Sequence, residues 1–123
     1  MQRIEISSDW TTSGDEGQLA LDVSDAGDAL VVVAPMAGVA PESIEVYLQN
    51  DLLTIRGHRP APGAGEATLL HAECFWGRFS RTVVLPIEVK GELALAEYAN
   101  GVLVLSIPKR EILAKVPVQI VED

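Results

Sequence analysis

The Asn100-Gly101 pair, set between the apolar-rich runs 93–98 and 102–107, constrains the fold of this chain more than any other feature. A type I′ turn needs positive φ at both central residues, and Asn followed by Gly meets that need with least strain, so the pair predicts a tight β-hairpin. The arm after the turn is apolar on both parities: Val102 and Val104 point one way, and Leu103, Leu105 and Ile107 the other. Such a strand is expected to be covered on both faces. One cover is the second sheet of a sandwich, and what supplies the other is the functional question.

Most of the remaining chain keeps the same two-residue period. Leu19, Leu21 and Val23 alternate with Ala20 and Asp22, and after the turn 25–28 comes the apolar run 29–35, which predicts a first hairpin. The breaker cluster Gly38-Val39-Ala40-Pro41-Glu42 reads as a tight connection. Ile44, Val46 and Leu48 then alternate with Glu45, Tyr47 and Gln49, the pattern of a half-buried strand, and Asn50-Asp51 turns the chain into a strand over 52–59. Phe79, Arg81, Val83 and Leu85 share one parity of the segment 78–85. Between these last two strands lie the Pro/Gly-rich stretch 60–65 and a strand-like patch over 68–76. A connection this long inside an all-β unit usually carries function. No segment shows helical period and no internal repeat is present, so the pattern predicts an all-β sandwich or barrel.

The bulk properties exclude several classes of function. A chain of 123 residues with 48% hydrophobic content makes one domain with a real core. Its formal net charge of −9 argues against nucleic acid, whose binders concentrate Lys and Arg to displace counterions. A single cysteine, Cys74, leaves no internal disulfide framework and favours a reducing compartment. Neither a signal-peptide-like start nor a membrane-length apolar run occurs, so a cytoplasmic protein without a membrane partner is expected. His58 and His71 lie on opposite sides of the long connection, and no Gly-x-Ser-x-Gly elbow or Cys/His pairing proposes a nucleophile. His71 and Cys74 are three apart, facing opposite ways on a strand, and no Gly-rich loop has phosphate-cradle spacing. The expectation is therefore a protein that is not an enzyme, with no catalytic residues, metal or cofactor. Cys74 is expected as a small packed side chain, an exposed thiol open to an intermolecular disulfide being the alternative.

Two features point to association. Arg81 lies on an apolar row, where its guanidinium either snorkels to water over its own stem or pairs with a carboxylate across a subunit interface. Val116-Pro117-Val118 places two apolar side chains on one side of an extended segment, with a proline that removes a donor. A peptide of that kind suits a sheet edge that takes alternate side chains, or forms a final edge strand on its own domain. Ile4-Glu5-Ile6 repeats the spacing near the other terminus and is expected to compete for the same groove.

Taken in order, these segments resemble the α-crystallin domain of small heat-shock proteins, of the bacterial and plant type. Ala96, Asn100, Gly101, Val102 and Leu103, followed by Ile107-Pro108-Lys109, are similar to the family signature in the last two domain strands. Ala37-Gly38-Val39 with Pro41-Glu42, Leu53-Thr54-Ile55-Arg56-Gly57, and Gly77-Arg78-Phe79-Ser80-Arg81 leading to Leu85-Pro86 match in the right order. The resemblance implies an immunoglobulin-like antiparallel β-sandwich over 18–109, a short N-terminal arm over 1–17 and a C-terminal extension over 110–123. It implies that Val116-Pro117-Val118 docks on another subunit, in a groove between the edge strands 44–49 and 93–98 that includes Ile44, Val46, Leu48, Leu93 and Leu95. It further implies a dimer in which the segment 68–75, with Leu69, Leu70, His71 and Glu73, swaps onto the partner's first strand, with Leu19, Leu21 and Val23, near Arg81. Two departures stand out: the arm is short, and Cys74 follows Glu73 where an arginine is common.

The function so implied is that of an ATP-independent holdase that binds partly unfolded proteins and assembles from dimers into larger homo-oligomers. Its partners would be copies of itself, unfolded clients and, downstream, ATP-dependent chaperones. The alternative is a non-chaperone interaction module, a co-chaperone-like or scaffold sandwich that binds one folded partner.

Overall fold

Both residues of the Asn100-Gly101 turn take positive φ, 54° and 76°, and the strands on either side pair from Ala99↔Val102 outward, so the hairpin forms as its turn chemistry dictates. A computed structural model describes residues 16–63, 65–110 and 116–122. Ile4-Glu5-Ile6 lies outside the described residues.

The strands, in chain order, are β1 (Gly17–Gln18), β2 (Asp22–Asp25), β3 (Ala29–Pro35), β4 (Glu45–Gln49), β5 (Leu52–Arg59), β6 (Gly77–Val84), β7 (Leu95–Ala99) and β8 (Val102–Pro108). They form two four-stranded sheets, β1-β6-β5-β4 and β2-β3-β8-β7, an all-β sandwich of the expected immunoglobulin-like kind. Every pairing is antiparallel except that of β1 with β6. Single 3₁₀ turns precede β4 (Pro41–Ser43) and β7 (Gly91–Leu93), and no α-helix occurs among the described residues.

The core follows from strand parity. Leu30, Val32 and Ala34 of β3 and Leu103, Leu105 and Ile107 of β8 face Leu53 and Ile55 of β5 and Phe79 of β6, all buried. Gly57 continues the β5 row as a glycine because a Cβ there would stand 2.9 Å from Met36 Cε and 3.1 Å from Val39 Cγ1.

Three expectations are corrected. The strand predicted over 19–23 begins only at Asp22, as β2, because residues 19–21 carry the chain from the sheet of β1 to that of β2. Leu19 drops into the core there and its N–H donates to Ser80 O at 3.0 Å. The second arm of the Asn-Gly hairpin is covered on one face only: Val104 is exposed, and with the half-buried Val31 and Val33 it forms the outer row of its sheet. The patch over 68–76, expected to pair with another copy, has no ladder partner among the described residues. Cys74 is exposed and not packed.

The β2–β3 turn is tied by a small ionic clasp. Asp25 Oδ1 accepts from Lys109 Nζ at 2.6 Å and from the Gly27 N–H at 2.9 Å, and the Lys109 hydrogen bond, followed by that of Gly27, holds the carboxyl below its usual range. A depressed folded-state pKa contributes stability above the ordinary carboxylate range and loses it as pH falls through the folded value. Asp25→Asn is therefore expected to be less stable than the parent at neutral pH, with the difference closing below about pH 4 in denaturant titrations. At the hairpin, Gly101→Val would force a β-branched side chain to positive φ with its Cβ 3.3 Å from Ala37 Cα. A loss of roughly 1–3 kcal/mol in urea unfolding is expected, while Asn100→Gly stays close to the parent.

Candidate interaction edges

The features that bear on function lie at the rims of the sandwich. β4 ends one sheet and β7 the other, and neither carries a further strand among the described residues. On the β4 side, Val46 and Leu48 pair with the buried Ile55 and Leu53, so they point between the sheets, and Ile44 extends their row by one step. All three are half-buried against the core. On the β7 side Ala96 pairs with buried Leu105 and shares its inward face, yet Ala96 is exposed. An inward-facing alanine left open to solvent marks a trough between the two rims.

The trough has definite ends. At one, Gly91 lies so close to Leu48 that a Cβ would stand 3.0 Å from its Cδ2. At the other, Tyr98 Oη donates to Met36 O at 2.7 Å, which ties β7 to the segment leading into β4. Of Leu93 and Leu95, both expected to line this groove, Leu95 is placed elsewhere. Leu93 belongs to the 3₁₀ turn, and Leu95 pairs with the exposed Ser106, which puts it on the outer face. Ala94 and Ala96 form the β7 wall instead, because one step of parity exchanges the faces of a strand.

A second set of features surrounds the long connection. Leu69 and Leu70 are exposed, Leu70 to 92%, and His71 Nε2 meets Glu73 Oε2 two residues on, as an extended chain allows. The segment is anchored at both ends. Arg59 at the end of β5 donates from Nε to Ala37 O at 2.6 Å and from Nη1 to Phe75 O at 3.3 Å, with its guanidinium 4.7 Å from the centre of the Phe79 ring. The Phe75 ring covers Gly17, where a Cβ would come within 2.7 Å of it. Nearby, β2 is exposed along its length and pairs on one side only among the described residues. Leu21 is half-buried, Val23 is exposed and Leu19 is buried in its own core, so of these three only Leu19 is withheld from a partner's side chains.

Arg81 sits on the inward row as its parity predicts, half-buried, with Nη1 donating to Leu19 O at 3.3 Å. The most buried cation is a different one. Arg56 is 2% exposed, paired across the ladder with Glu45 and Ser80, with its guanidinium 5.8 Å from the centre of the Tyr47 ring. Glu45 is itself buried and accepts from Tyr47 Oη at 2.6 Å, and Ser80 Oγ donates to Glu16. Parity alone puts Arg56 on a solvent face beside Thr54 and His58, and no signal in the strand pattern marks it as buried.

Among the described residues the tail has no strand assignment, and Val116, Val118, Ile120 and Val121 are all exposed. Within those residues no cluster of His, Cys, Asp and Glu is arranged to hold a metal, and no helix is long and apolar enough to cross a membrane.

Residues 22–122 match the Hsp20/alpha crystallin family. The chain is 37% identical over 94 residues to the 18 kDa heat shock protein of Streptomyces albus G, covering 76% of this chain and 66% of that one. It is 36% identical to the spore protein SP21 of Stigmatella aurantiaca over 74% of this chain and 54% of that one, so it spans somewhat over half the length of these relatives. Among solved structures, heat shock protein 16.0 from Schizosaccharomyces pombe superposes with a TM-score of 0.70 at 27% identity, covering 88% of this chain and all of that one. The hspA protein of Xanthomonas axonopodis gives 0.69 at 30% identity over 77% and 96% of the two chains.

The two arginines are expected to separate in mutagenesis. Arg56→Ala removes a side chain only 2% exposed, together with its contact over the Tyr47 ring, and should lower the unfolding free energy by about 2–5 kcal/mol. Arg81→Ala removes one charge-assisted bond at a half-exposed site and should cost about 1.5 kcal/mol within the protomer. Equal losses in denaturant unfolding would contradict this placement.

Proposed function

From the premise that the chain belongs to the Hsp20/alpha crystallin family of small heat-shock proteins, we propose that it is an ATP-independent holdase that assembles reversibly from dimers. The observation that carries this reading is a double incompleteness. Two extended apolar segments lie exposed, one around Leu69 and Leu70 and one from Val116 to Val121. Open sheet rims lie alongside, at β2 and at the trough between β4 and β7. Exposed apolar segments and bare edges on one soluble chain call for cover by other copies.

In this reading the segment 68–75 adds to the β2 edge of a partner, and the slack of the Pro/Gly-rich stretch before it lets it reach. Val116 and Val118 of another copy enter the trough between β4 and β7. Burying two valines yields about 3–6 kcal/mol, comparable to the lower estimates for the loss of rigid-body freedom on association. One tail therefore holds weakly, and an assembly stands on many tails at once. Stress that shifts the balance toward smaller species uncovers the trough and the tail, and the same apolar surface then takes partly unfolded chains.

Two measurements bear on this. With a heat-labile client, light scattering at equimolar chaperone should fall well below that of the client alone, without nucleotide; undiminished aggregation contradicts the proposal. Val116→Asp combined with Val118→Asp should leave the fold intact and bring the elution position to that of a dimer. An unchanged elution volume would sink the tail-docking step.

A further inference from the structure

The trough has one more rung than a two-anchor tail can fill. Ile44, Val46 and Leu48 are half-buried and share the inward row of β4, including the residue just before it. Four residue steps of extended chain separate the outer two, about 13 Å. The opposite wall carries only the small side chains of Ala94, half-buried, and Ala96, exposed, before Tyr98. Gly91 against Leu48 and Tyr98 against Met36 O set the two ends.

The tail repeats that measure. Val116, Val118 and Ile120 lie at steps of two with no charged residue among them, and four residue steps again separate the first from the last. On an extended chain the three point the same way, while Pro117, Gln119 and Val121 point the other. All three are exposed, so the chain's own trough is not occupied by its own tail.

We propose that Ile120 is a third anchor, and that the tail of a second copy docks through Val116, Val118 and Ile120 against the three rungs Ile44, Val46 and Leu48. This rests on the tail-docking reading and specifies its register. In either chain direction Val118 faces the middle rung, Val46, and Ile120 fills one end of the trough. A tail with alternate anchors at two positions only would leave that end wet. Val121 provides an internal control, because it is as exposed as Ile120, 81% against 82%, equally apolar and of opposite phase.

The test uses the full chain with Ile120→Ser and Val121→Ser, which add no charge, beside the Val116→Asp/Val118→Asp double variant, all followed by sedimentation velocity across a dilution series. Circular dichroism confirms that each is folded. Ile120→Ser is expected to raise the concentration of half-assembly about tenfold, and Val121→Ser to leave it within about twofold. If Ile120→Ser matches the parent while the double variant dissociates, docking stands on two anchors and the third is wrong. If Val121→Ser weakens assembly as much as Ile120→Ser, the alternating register is wrong. If the double variant stays assembled, tail docking itself fails, and the third anchor with it.

Discussion

An antiparallel sandwich built from two open sheets cannot satisfy its own rims, and every other feature of this molecule is arranged around that constraint. A sheet edge leaves backbone donors and acceptors unmatched, and the gap between two sheets exposes the flanks of the core. The chain covers one rim itself: β1 lies along β6, and Leu19 closes the core as the chain passes to the other sheet. The remaining rims, at β2 and at β4 with β7, stay bare among the described residues. Apolar side chains on extended segments elsewhere in the same chain, Leu69 and Leu70 and those from Val116 to Val121, are exposed, and under the proposed function they cover those rims in other copies.

The rims are held by specific devices. Tyr98 fixes β7 by a hydrogen bond to Met36 O, and Arg59 with Phe75 fixes both ends of the long connection, so that Leu69 and Leu70 project from an anchored base. Arg56 is the least expected of these devices. Arg56, on the inner strand β5, is buried with its guanidinium over the Tyr47 ring of the edge strand β4, opposite Glu45 in the ladder. Under the proposed docking, a fixed edge strand preserves the spacing of the trough.

Much of the fold was legible in the sequence, and the limits are instructive. The Asn100-Gly101 turn, the alternation in β4 and the inward parity of Arg81 follow from local rules that tertiary structure did not override. The alternation over 19–23 suggests one strand, but it runs through a crossing between sheets at 19–21, which periodicity does not register. On β7 the large apolar side chain, Leu95, faces outward, whereas the inward face is carried by the small Ala96. Hydrophobicity marks what fills space, and a trough is made by what leaves it empty. The habits of its residue type suggest a packed Cys74, but the segment that holds it has no ladder partner among the described residues. Arg56 escaped notice because its burial is imposed by neighbours from β4 and β6, distant in sequence.

The central claim is that copies of the chain cover one another's rims. The most direct test is the mass of the intact protein in native mass spectrometry across a wide range of concentration. The account predicts even-numbered assemblies larger than a dimer that pass to dimers on dilution. A monomer at all concentrations would contradict it.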